Sequence, residues 1–98
     1  MNEDLVERIR ASVALIPPGS VATYGDVAAL TGAPTPRFVG RVLAEDGADL
    51  EWHRVVKADG SCAPHLREEQ LRRLAAEGVA APGGRVDLRT RRWAEVAR

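Results

Sequence analysis

Residues 23–45 read TYGDVAALTGAPTPRFVGRVLAE, and this stretch decides the fold. Thr23 is a good helix N-cap. Asp26, three residues on, can return a bond to the Thr23 N–H, a variant of the capping box. Val27, Ala28 and Leu30 then fall on the buried side of a short helix, and Gly32 ends it. Ala33-Pro34 is a tight connection. Thr35 is a second N-cap, and Pro36 suits the first helical position, where its missing N–H costs nothing. Val39, Val42 and Leu43 give the following helix an apolar face. Two short helices joined by a few residues rich in Gly and Pro match a helix-turn-helix.

The other face of that second helix is Arg37, Gly40, Arg41 and Ala44, at spacing i, i+3, i+4, i+7. It carries two arginines, two very small residues and no acid until Glu45. A glycine inside a helix costs ~1 kcal/mol against alanine. Close approach of another body to the backbone at Gly40 is therefore expected, and a nucleic-acid groove is such a body. The bland alternative is a solvated face with Gly40 packed on another helix. Tyr24 sits in the first turn of the preceding helix, where a phenol can point outward past the helix end.

Outward toward the N-terminus, Asn2 can cap a helix with Glu3 and Asp4 in its first turn. Leu5, Ile9, Val13 and Ile16, with Val6 beside them, form one apolar stripe, and Pro17-Pro18-Gly19 stops it. Toward the C-terminus an acidic loop leads to Glu51-Trp52-His53-Arg54 and a β-branched pair, Val55-Val56, that favours a strand. Asp59-Gly60 signals a hairpin-type turn. Residues 66–77 read as a helix with Leu71, Leu74 and Ala75 on one side and Gly78 as its stop. Its Glu68, Glu69, Arg72 and Arg73 form a solvated face. Residues 85–89, RVDLR, alternate with period two and read as a strand or wing. The last segment, with Trp93 and Val96, reads as a docked tail or short helix. The expected class is α/β, mainly α: a winged helix-turn-helix-like domain with a small β hairpin or wing, a single domain over residues 1–98.

Fourteen basic and fourteen acidic residues cancel, so net charge alone gives no argument for nucleic acid. The case rests on local clustering of arginine. One cysteine, Cys62, excludes an intramolecular disulfide and fits a cytoplasmic location. One Cys and two His cannot complete a common structural zinc site, so no metal and no cofactor are expected. No apolar run approaches the ~18 residues of a membrane span. Without an obvious spare apolar face, a monomer is expected.

Three stretches, in this order and spacing, resemble a known family. They are residues 16–28 (IPPGSVATYGDVA), residues 37–43 (RFVGRVL) and residues 52–56 (WHRVV). They resemble the C-terminal domain of alkylguanine-DNA alkyltransferases and, more closely, the alkyltransferase-like proteins, over about residues 5–89. In the alkyltransferases a Pro-Cys-His-Arg motif carries the cysteine that takes the alkyl group from guanine. Here the matching position is Trp52, which has no nucleophile, so transfer at that site is excluded. The position before it, usually proline, is Glu51, which puts a carboxylate near a DNA-facing mouth.

The resemblance implies a DNA-binding set of Thr23, Tyr24, Thr35, Pro36, Arg37, Gly40 and Arg41. It implies a lesion pocket of Tyr24, Trp52, His53, Arg54, Val55 and His65. Tyr24 would push on the 3′ phosphate of the target nucleotide. Arg37 would fill the gap left by the extruded base. Thr35, Pro36, Gly40 and Ala44 would lie in the minor groove, and Arg41 would contact phosphate. Trp52 would pack against the alkyl group, Val55 would meet the flipped guanine through its backbone, and residues near His65 would form a lid. His53 and Glu77 match the pair that activates the family cysteine; without it, a structural hydrogen bond between them is expected. The implied partner is double-stranded DNA containing alkylated guanine, with hand-over to nucleotide excision repair proteins and no membrane. The alternatives are a Cys62-dependent alkyltransferase and a sequence-specific winged-helix regulator. Against the latter, the third helix has few long side chains to read base edges.

Overall fold

The computed structural model describes residues 2–96. Helix α1 spans Glu3–Leu15, and the Asn2 side chain accepts from the Leu5 N–H at 3.2 Å as its cap. Leu5, Ile9, Val13 and Ile16 are all buried, as their spacing requires. Helix α2 spans Tyr24–Thr31 and α3 spans Pro36–Asp46. Thr23 and Asp26 form both bonds of the capping box, Gly32 closes α2 in the left-handed conformation at φ 79°, and Thr35 accepts from the Phe38 N–H at 3.1 Å. Helices α1, α2 and α3 share one core around Ile9, Val13, Val27, Val39 and Val42, and the buried Trp93 closes it from the far end of the chain. Leu30, expected on the buried side of α2, is 48% exposed, at a surface depression it shares with Ser12 and Leu15 of α1 and with Trp93.

The β-structure differs from the expected hairpin. Strand β1 (Ala22–Thr23) pairs in parallel with β2 (Val55–Val56), in the register Ala22 with Val55 and Thr23 with Val56. Parallel pairing needs a long crossover, and here α2 and α3 are that crossover. The Asp59-Gly60 turn forms, with the Gly60 N–H donating to Lys57 at 2.8 Å and the Lys57 N–H to Ser61 at 2.9 Å. Its return arm does not extend as a strand; Ser61 makes a single bridge to Arg85.

Nor do residues 85–89 form the expected strand. Val86 is buried as the alternation requires, but Asp87 caps a short helix, α5 (Leu88–Arg91), and ends the extended run. Residues Pro64–Leu66 form a 3-10 turn leading into α4 (Arg67–Ala76). On α4, Leu74 and Gln70 are buried, Leu71 is half-buried and Ala75 is exposed. No helix among the described residues is long and apolar enough to cross a membrane.

Candidate nucleic-acid interface

The β1–β2 pair sets two aromatic side chains on opposite sides of one groove. Tyr24 follows β1 directly as the first residue of α2, and Trp52 opens the 3-10 turn Trp52–Arg54 that leads directly into β2. The groove has a volume of about 890 Å³. Its floor is the small, basic face of α3: Pro36, Arg37, Gly40, Arg41 and Ala44, with Leu43 beside it. Lys57, Ala58, Ala63, His65 and Leu66 border it on the side of the 57–66 segment. Thus Tyr24, Pro36, Arg37, Gly40, Arg41, Trp52 and His65, from four separate segments, line one groove.

Other expected residues stand behind this surface. Thr23 is buried and spends its hydroxyl on the α2 cap. Thr35 is exposed beside the floor, with its hydroxyl capping α3. Val55 has a fully buried side chain; its N–H donates to the Trp52 carbonyl, and its carbonyl accepts from Gln70 at 2.8 Å. His53 is 2% exposed, and Arg54 is half-buried on the same side.

Gly40 bears on the expectation of a close approach. A Cβ added there would meet only the Tyr24 ring, at 3.8 and 3.9 Å, which is ordinary contact. No part of the protein therefore requires glycine at this position. The space above it belongs to the open groove.

Burial pushes the Tyr24 phenol above its ordinary range. Trp52 carries the Arg73 guanidinium over its ring at 5.2 Å from the centroid, and Glu69 holds Arg73 at 2.7 Å. The His53 ring meets Trp52 edge-on, with centroids 6.4 Å apart.

Behind Trp52, one carboxylate gathers three parts of the chain. Glu77 accepts from His53 Nε2 at 2.9 Å and from Arg54 at 2.6–3.2 Å, while Arg54 also donates to the Ile16 carbonyl at 2.9 Å. The Arg54 guanidinium, with His53 second, holds Glu77 down to a pKa of about 2. His53 Nδ1 has no hydrogen-bond partner and lies 3.5 Å from Glu51. Glu51, His53 and Glu77 bring ligand atoms within 4.8 Å of one another, but Arg54 already neutralises the Glu77 oxygens a cation would need. Cys62 is buried behind the lining, close enough to Tyr24 to act on it electrostatically, and burial pushes its thiol up, away from the reactive thiolate.

Two contributors were hidden in the sequence. Gln70 donates to the His53 and Val55 carbonyls at 3.1 and 2.8 Å, fixing the segment behind Trp52. It sits inside the charged run REEQLRR and looks like one more solvated polar residue. Arg73 was legible as the partner of Glu69 four residues earlier, but its stacking on Trp52 has no local signal.

Comparison with known proteins gives this geometry a context. The DNA base-flipping protein of Escherichia coli is 46% identical over 99 residues, spanning 94% of this chain and 76% of that protein. The DNA base-flipping protein of Vibrio parahaemolyticus is 35% identical, spanning 95% of this chain and 98% of that protein. Alkyltransferase-like protein 1 of Schizosaccharomyces pombe is 30% identical over 84 residues, spanning 79% of this chain and 78% of that protein. The crystal structure of S. pombe Atl1 in complex with damaged DNA containing O6-carboxymethylguanine superposes with a TM-score of 0.81 at 26% identity, covering 95% of this chain and 97% of that one. Residues 4–79 match the family described as 6-O-methylguanine DNA methyltransferase, DNA binding domain. By its helix-turn-helix fold, its matched sequence and its alkyltransferase-like relatives, this chain belongs to the 6-O-methylguanine DNA methyltransferase DNA-binding domain family.

Proposed function

We propose that this chain is a non-enzymatic sensor of O6-alkylated guanine in DNA, which rotates the lesion out of the duplex and holds it against Trp52. The single observation that carries this reading is the groove: a small, basic helix face that leads to an aromatic wall at Trp52, with no cysteine among its lining residues. Trp52 stands in the position of the family cysteine, in front of an intact His53–Glu77–Arg54 network. In this reading the network is retained for hydrogen bonding alone.

The energetics support recognition by two modest terms. Extruding a base costs a few kcal/mol, and less when its pairing is damaged. Burying the alkyl group against Trp52 returns ~0.8 kcal/mol per methylene. Tyr24 pushes on the 3′ phosphate, and Arg37 enters the stack and replaces part of the lost stacking. Thr35, Pro36, Gly40 and Ala44 approach the minor groove, Arg41 contacts phosphate and His65 closes over the base. Its site of action is the cytoplasm, and the bound lesion is passed to nucleotide excision repair proteins.

The test is competition binding between matched duplexes with and without one O6-methylguanine, following tryptophan fluorescence. Preference for the lesion, with a fluorescence change lost in Trp52→Ala and a preference lost in Tyr24→Ala and Arg37→Ala, is the expected result. Equal binding of both duplexes by the wild type refutes the reading. Intact mass after exposure to the lesion duplex is expected to be unchanged; a gain of one methyl on Cys62 would make the protein an enzyme.

A further inference from the structure

Residues 85–93 lie outside the matched family region, yet they are bonded to the segment that carries Tyr24. The Val21 N–H donates to the Arg91 carbonyl at 2.8 Å, and the Val21 carbonyl accepts from the Trp93 N–H at 2.7 Å. On its other edge the same stretch pairs with β2. Residues 21–23, which deliver the chain to Tyr24, are therefore held from both sides. Trp93 is 7% exposed and anchors the C-terminal segment in the core.

Arg92 then reaches the first turn of α2. Its Nε donates to Asp26 Oδ2 at 3.0 Å, and its terminal nitrogen bonds Asp26 Oδ1. Asp26 Oδ2 also accepts the Thr23 N–H at 3.0 Å, and the Asp26 N–H donates to the Thr23 hydroxyl at 2.9 Å. Tyr24 lies inside this ring of bonds. Asp26 is 8% exposed, so without Arg92 a buried carboxylate would be left with only backbone and hydroxyl partners. The same C-terminal segment also holds the turn of the 57–66 segment that borders the groove, where the Val86 N–H donates to the Gly60 carbonyl at 2.9 Å and Arg85 lies 3.4 Å from Asp59. Gly60 has φ +84°, and an added Cβ there would collide with the Val86 carbonyl, so the two segments are closely fitted.

We propose that residues 85–93 are a clasp behind the groove, joining the segments that carry two of its walls, and that Arg92 is a positioning residue for Tyr24, acting through Asp26 without touching DNA. The proposal rests on the reading that Tyr24 works on the DNA backbone. A side chain that forces a nucleotide outward is useful only if its own backbone does not yield, and the Arg92–Asp26 fork stiffens that backbone at the loaded turn.

The experiment measures lesion discrimination, the ratio of affinities for duplexes with and without one O6-methylguanine. It uses the wild type, Arg92→Gln, Arg92→Lys, Tyr24→Ala and the double variant Arg92→Gln/Tyr24→Ala. Discrimination is expected to fall roughly three- to tenfold in Arg92→Gln, as for other coupled pairs. Binding to undamaged duplex stays within about twofold, Arg92→Lys recovers part of the loss, and the double variant matches Tyr24→Ala alone. Unchanged discrimination in Arg92→Gln, or a loss that adds to that of Tyr24→Ala, overturns the proposal. Wild-type protein without discrimination would instead overturn the functional reading, and a second measurement separates the two. Tyr24 is the only tyrosine, so 3-fluorotyrosine gives one fluorine resonance. That resonance is expected to shift or broaden in Arg92→Gln and Arg92→Lys; an unchanged resonance overturns the clasp whatever the DNA result.

Discussion

Gly40→Ala should make the protein more stable and worse at binding DNA. Alanine in a helix interior is favoured over glycine by ~1 kcal/mol. The new methyl would meet the Tyr24 ring at 3.8 and 3.9 Å, with no clash to offset that gain. For a domain of this size, 1 kcal/mol corresponds to a rise of roughly 4–8 °C in Tm. The same methyl projects from the floor of the groove, where close approach to the duplex is proposed. Forcing a methyl into a packed contact costs roughly 1–3 kcal/mol, which is about five- to 150-fold in affinity. Thermal melting and fluorescence titration on one preparation give both numbers. A lower Tm would mean that something other than Tyr24 packs on Gly40. A raised Tm with undiminished affinity would mean that DNA does not approach this face, and would refute the placement of α3.

Three further outcomes follow from the geometry. Glu77 has a folded-state pKa of about 2 against an ordinary 4.5, so the unfolded chain binds the extra proton between those values. Stability should therefore be fully present above about pH 4.5 and fall toward pH 2, by on the order of 1–2 kcal/mol after solvent screening. In Glu77→Gln that part of the acid-unfolding profile should flatten, and an unaltered profile would deny the Arg54–Glu77 contact its role. Gln70→Leu removes the side-chain donor from the His53 and Val55 carbonyls and should cost roughly 1–3 kcal/mol in chemical denaturation; neutrality would show that other donors serve them. Arg41 is exposed and, among the described residues, paired only with Glu45 at 2.9 Å, so Arg41→Ala should leave Tm nearly unchanged while the slope of log affinity against log salt falls by about one.

Local signals carried most of the helical architecture. The caps at Asn2, Thr23 and Thr35 and the left-handed Gly32 are decided within four residues, and all four stand in the structure. The candidate site was legible where its residues share a helix face, as Arg37, Gly40 and Arg41 do. It was also legible where a motif marks the position, as at Tyr24 and Trp52. The pairing of β1 with β2 was not, because Val55 and Val56 show only that they favour an extended state. Their partner is chosen by how α2 and α3 cross over, and the expected hairpin was the locally cheaper guess. Residues 85–89 mislead for a related reason. Period two buries Val86 as expected, but Asp87 prefers capping a helix to continuing a strand. Arg92 and Gln70 work through partners 66 and 15–17 residues away, beyond the reach of any local pattern.

The bonds around Glu77 bear on which parts of the site the fold itself needs. Deleting a nucleophile leaves a pocket; deleting Glu77 would strand a buried histidine and an arginine that ties the end of α1 to the segment behind Trp52. The first change is tolerated by folding, and the second is opposed by it. Parts that match a catalytic apparatus can thus be kept in place because the scaffold leans on them. A histidine, arginine and glutamate in register are therefore evidence of the fold, and do not by themselves mark a reactive site.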